Sequence, residues 1–131
     1  MKATELRIGN YVMKLEGEID RITGISDPVI ATEKIPGDID VWVEPIPLTE
    51  EWLLKFGFRK RNIFYILNDI WDYEIKDDYR IEVHFKENRD EFYLKLGDGD
   101  NKSFWGYYKY VHQLQNLYFA LNGEELEIKT N

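Results

Sequence analysis

"YRIEVHFKENRDEFYLKLG", residues 79–97, reads as two strands around a turn, and its pairing sets the frame for the rest of the chain. In the first strand Tyr79, Ile81, Val83 and Phe85 fall on one face and Arg80, Glu82, His84 and Lys86 on the other, because successive side chains of a strand point to opposite sides. One face is expected in the core and the other in water. Matching apolar faces across the turn at Asn88-Arg89 pairs Phe85 with Phe92 and Val83 with Leu94, since a one-residue slip would set apolar groups against polar ones. His84 then faces Tyr93. The same register brings Glu82 to Lys95 and Lys86 to Glu91, two favourable cross-strand charge pairs.

Carrying the matching back through the two preceding turns pairs Tyr73 with Val83 and Phe64 with Tyr73. Asp72 then falls beside His84, and Tyr65 beside Asp72, so the outer face is expected to carry the row Tyr65, Asp72, His84, Tyr93. A carboxylate next to an imidazole orients the ring and favours its protonated form, and two tyrosines add stacking or hydrogen-bonding surface. The row reads as a surface ladder of compatible pairs, or as the floor of a ligand or partner site. A hydrolase using His84 and Asp72 is the third reading.

Outward from this hairpin the period of two extends from Asn62 to Gly97, with turns at "ND", "DD" and "NRD", which predicts an antiparallel meander of four strands. Before it, "IPLTEEWLLKFGF" (46–58) predicts a short connector helix. Thr49 caps its start, Glu50 and Glu51 sit at the positive end of its dipole, Leu48 and Leu53 staple it, and Gly57 ends it in the left-handed conformation. Residues 7–46 read as short strands between turn residues, which predicts a small SH3-like β-barrel. After the meander, "YVHQLQNLYFALNGEELEI" (110–128) predicts a helix whose apolar arc, Tyr110, Val111, Leu114, Leu117, Tyr118 and Leu121, packs on the sheet. Asn122-Gly123 ends it, and "EELEI" can add an edge strand. The expected class is α+β: a barrel lobe over 1–47 and an α+β lobe over 48–131, forming one compact unit.

On that helix His112 lies off the apolar arc, with Gln115, Asn116 and Phe119, which reads as a solvated flank. Tyr108, His112 and Phe119 together suggest instead a contact surface, for the barrel or for a partner subunit, so a homo-oligomer stays open. The run "FRKRN" (58–62) offers Arg59, Lys60 and Arg61 as a phosphate grip or as a solvated turn.

The totals exclude several chemistries. The 131 residues contain no cysteine, so there is no disulfide, thiolate metal site or cysteine nucleophile. Two histidines among scattered carboxylates supply no recognisable zinc set. In "GDGDNKSF" Asp98 and Asp100 have the alternate spacing of a calcium loop, but Lys102 and Lys109 occupy ligand positions, so a hairpin tip is expected and no metal or other cofactor. Ser26 and Ser103 lie in no nucleophile-elbow pattern, and the glycines fall singly at turns rather than in a phosphate loop. A net charge of −8, spread along the chain with interspersed lysines and arginines, argues against duplex nucleic acid and against nucleic-acid mimicry. No apolar run approaches the roughly 20 residues of a membrane span, and a cytoplasmic protein is expected.

Three stretches, "ELRIGNYV" (5–12), "IPLTEEWLLKFGF" and "YVHQLQNLYFALNGEELEI", together resemble a set of small proteins without assigned activity encoded in Bacteroidetes genomes, prophages, phages and other mobile elements. The resemblance implies genomic context and a cytosolic location, not a chemistry. With no catalytic set in view, the expected function is a non-enzymatic accessory protein that binds another protein. The alternative is an anti-defence protein that sequesters a nucleotide signal, with aromatic rings for the base and Arg/Lys groups for phosphate.

Overall fold

The computed structural model describes residues 6–14, 17–26, 29–32, 43–61, 70–76, 79–85, 91–98 and 101–129. The chain is α+β, with two antiparallel sheets and two helices among the described residues. It groups into two compact units, residues 1–47 with 110–125 and residues 48–109 with 126–131. The C-terminal helix thus groups with residues 1–47 rather than with the meander. Among the described residues no helix is long and apolar enough to cross a membrane.

In the first unit β1 (Tyr11–Lys14), β2 (Ile19–Ser26), β3 (Val29–Thr32) and β4 (Val43–Glu44) form a sheet of order β3-β2-β1-β4. No closed barrel forms among the described residues, and most of the predicted strand "DIDVWVEPI" lies outside them. α2 (Val111–Asn122) buries Val111, Leu114 and Tyr118, as its period requires, and ends at Gly123 in the left-handed conformation. His112 and Gln115, expected on a solvated flank, are buried as well.

For Gln115 the cause is the backbone of the N-terminal segment. The Gln115 side chain donates to Gly9 O at 3.1 Å and accepts from Tyr11 N–H at 2.8 Å. Arg7 lies over the Phe119 ring at 4.2 Å, pairs with Glu125 and reaches Asn116. A flank that looks hydrophilic in sequence is therefore a polar packing surface.

In the second unit α1 (Glu50–Phe56) runs between the predicted caps: Thr49 accepts from Trp52 N–H, and Gly57 takes φ 92°. Trp52, Leu53 and Phe56 are buried, and Phe58 packs on Tyr73 with ring centroids 5.2 Å apart. Gly57→Ala should destabilise by about 1 kcal/mol or more, because a Cβ is penalised at positive φ and would meet Lys129 Cγ at 3.2 Å. A urea unfolding midpoint equal to that of the wild type would show that this terminus adds nothing to stability.

The sheet that follows has five strands, β5 (Arg59–Arg61), β6 (Ile70–Lys76), β7 (Tyr79–Phe85), β8 (Phe92–Asp98) and β9 (Asn101–Tyr108), in sequence order. Its apolar face carries Trp71, Ile81, Val83, Phe85, Phe92, Leu94 and Leu96, all buried. Among its described residues the segment after α2 adds no strand. It contributes buried Leu126 and a hydrogen bond from Lys129 N–H to Lys55 O.

Candidate functional site

The chemistry of this chain is concentrated on the other face of the five-stranded sheet. β7 and β8 pair as their side-chain pattern requires, with Phe85↔Phe92, Val83↔Leu94, Glu82↔Lys95 and His84↔Tyr93. The His84 and Tyr93 rings stack at 4.7 Å and 13°. Earlier strands sit in a different register from the one expected. Tyr73 pairs with Ile81, Asp72 with Glu82 and Ile70 with His84, and a bulge at Ile75 reconciles the turn with the faces. Asp72 shares the face of His84 without lying opposite it, so no Asp72–His84 pair forms. The strand beside Asp72 is β5, with Arg59 as its partner. Tyr65 lies outside the described residues.

A like-charged pair, Asp72 and Glu82, therefore sits at the centre of the face, and both side chains are almost fully buried. Three arginines neutralise them. Arg61 reaches Glu82 Oε2 at 2.9 Å and Asp72 Oδ2 at 3.3 Å, Arg80 reaches Asp72 Oδ2 at 3.5 Å, and Arg59 reaches Oδ1 at 3.6 Å. His84 Nε2 is 3.0 Å from Glu82 Oε1. Arg59 and Arg61 thus stay solvent-exposed, as expected, but belong to a strand rather than a turn and hold carboxylates. Lys60 projects to the opposite face with Trp71. Among the described residues no group of three or more His, Asp or Glu side chains is arranged to hold a metal ion.

At the far side of this face lies a feature the sequence reading missed. Phe104 and Tyr107 are three residues apart, a spacing that sends side chains to opposite faces of a regular strand. Here Tyr93 pairs with Tyr107 and Lys95 with Phe104, so β9 carries one extra residue between them. Gly106, at φ 98°, permits this bulge. Both rings land on the face of Tyr93, where the three centroids lie 5.2–5.9 Å apart. Phe104 and Tyr107 are each 54% exposed. The signal available in sequence was the isolated glycine in "SFWGYY".

Packing raises the Tyr93 phenol above the ordinary tyrosine value of about 10, first through burial and then through Tyr107 and Glu82. A raised folded-state value favours the fold below the unfolded value, and the benefit is lost as pH rises through the folded one. Stability should therefore fall above about pH 10 more steeply in the wild type than in Tyr93→Phe. Parallel pH curves for the two proteins would contradict this.

The remaining candidates disperse. Tyr108 is on β9 against Phe92, not on the helix. His112 is buried and stacks on Tyr110, and Phe119 lies under Arg7. An open depression of about 420 Å³ is lined, among the described residues, by Leu48, Thr49, Glu50 and Phe85. In comparisons with protein-family models, curated proteins and solved structures, nothing matches this chain.

Proposed function

We propose that this chain is a non-enzymatic, cytosolic accessory protein of a phage or mobile element that acts by binding another protein, and that the partner docks on Tyr93, Phe104 and Tyr107. The exposed aromatic cluster carries this reading. A chain that uses a bulge to bring two more rings onto one solvent-facing surface forgoes strand regularity for a patch of the kind that anchors protein interfaces. Binding is favoured over hydrolysis because Asp72 is engaged by arginines and His84 by Glu82 and the Tyr93 ring. The genomic context rests on the sequence resemblance. In the same reading the first unit is a small SH3-like barrel: β2 pairs with β1 through its first half and with β3 through its second, as a corner strand does.

A second reading, capture of a nucleotide signal, is supported by the solvent-reachable guanidinium groups of Arg59 and Arg61 on the face that bears the rings. Affinity capture from an extract of the organism that encodes the protein separates the two. A bound protein should be retained by the wild type and weakened by about 2 kcal/mol or more with Phe104→Ala/Tyr107→Ala, at unchanged melting temperature. Equal retention by both proteins would remove the patch as the docking site. Thermal stabilisation by a nucleotide alone would favour the second reading.

A further inference from the structure

Resting on that docking reading, we infer that the partner contributes an extended acidic segment with an apolar anchor, laid across β5 to β9 with its anchor among Tyr93, Phe104 and Tyr107. Charge is layered on this face. Asp72 and Glu82 are 1% and 6% exposed, whereas the arginines over them keep solvent access, Arg59 at 70% and Arg61 at 39%. A ligand approaching the centre of this face meets guanidinium groups first and the carboxylates of Asp72 and Glu82 beneath them. Lys95 is on the same face beside Phe104, and Glu74, near Arg80, is an exposed carboxylate at its margin. β9 and the residue after it contain Lys102 and Lys109 and no carboxylate, in a chain of net charge −8.

The spacing of the cations selects the class of partner. Arg59 and Arg61 are on β5, Arg80 on β7 and Lys95 on β8, so the positive groups are spread over about 14 Å at ~4.8 Å per strand. A compact phosphate would meet one or two of them and lie close to two buried carboxylates. Single carboxylates set along an extended chain, at about 3.3 Å per residue, can meet them separately. About six residues reach from the aromatic rings to β5.

The test uses fluorescein-labelled Glu-Asp-Glu-Glu-Leu-Trp, its amide counterpart Gln-Asn-Gln-Gln-Leu-Trp, and ATP and a cyclic dinucleotide as competitors, with native mass spectrometry of the full chain. The acidic peptide should bind at least about tenfold more tightly than the amide peptide at low salt. That advantage should vanish at high salt and in Arg59→Gln/Lys95→Gln, whose substitutions are at solvent-reachable positions. Phe104→Ala/Tyr107→Ala should weaken both peptides. Equal binding of the two peptides, an advantage that survives Arg59→Gln/Lys95→Gln, displacement by nucleotide at lower concentration than by peptide, or a wild-type dimer dissolved by Phe104→Ala would each overturn the inference. If neither peptide binds while a captured protein still depends on Phe104 and Tyr107, the acidic segment is wrong and the docking reading stands. If Phe104→Ala/Tyr107→Ala changes neither measurement, both fall.

Discussion

Gln115→Leu should lower the stability of the protein by about 1–3 kcal/mol, because it takes the acceptor from the Tyr11 backbone N–H and leaves Gly9 O with one donor, Arg21 Nε at 3.0 Å. Gln115 is fully buried on α2, and its amide makes one bond in each sense: Nε2 donates to Gly9 O and Oε1 accepts from Tyr11 N–H. Both partners flank Asn10, which is itself fully buried, so water is poorly placed to replace the lost bonds. Leucine fills much of the volume and offers neither donor nor acceptor, so the transfer gain of an apolar residue is set against the lost acceptor of Tyr11 N–H, at about 1–3 kcal/mol, and one lost bond to Gly9 O, which keeps Arg21. Urea unfolding with an unchanged slope would read this directly. A loss below about 1 kcal/mol would mean that the segment Gly9–Tyr11 finds other partners and that α2 is held by its apolar face alone.

Gln115 also shows why the fold was only partly legible. Helical periodicity marks where leucines and valines point, and Val111, Leu114 and Tyr118 are buried as that pattern predicts. It carries no information about which polar residues will be drawn inward by a neighbouring strand backbone. His112, Gln115 and Asn116 share a flank with Phe119 in any helical projection. Only the tertiary partner, the segment from Arg7 to Tyr11, decides that the flank is packed rather than wet. The caps of α1 were legible because Thr49, Glu50, Glu51 and Gly57 act through local chemistry.

On the sheet, the limit is the symmetry of the pleat. A one-residue slip inverts every face and is excluded by hydrophobic matching, which is why Phe85↔Phe92 and His84↔Tyr93 could be read from sequence. A two-residue slip preserves every face, so the same matching cannot tell Tyr73↔Val83 from the observed Tyr73↔Ile81. That difference moved Asp72 from His84 to Glu82 and replaced a would-be catalytic pair with an arginine-bridged carboxylate pair. The aromatic patch escaped notice for a related reason: a bulge breaks the period of two on which the reading relied.

The arginine bridge carries the other large effect. Arg61→Ala should destabilise by about 3 kcal/mol, although Arg61 is itself substantially solvent-exposed, because the cost falls on the carboxylates it leaves behind. Asp72 and Glu82 are direct cross-strand partners, a placement in which like charges repel, and both are buried. Arg61 is the one guanidinium in contact with both among the described residues, through Nε to Asp72 and an Nη to Glu82. After its removal Asp72 keeps Arg59 and Arg80, and Glu82 keeps His84. Arg61→Lys should recover only part of the loss, since an ammonium is a point charge and lacks the planar fork that spans two acceptors. A double-mutant cycle identifies the cause: in Glu82→Gln, which removes one of the opposed charges, Arg61→Ala should cost at least about 1 kcal/mol less than in the wild type. Equal costs in the two backgrounds would show that Arg61 stabilises the sheet through its aliphatic stem and edge-strand packing, and that the buried pair is tolerated without it.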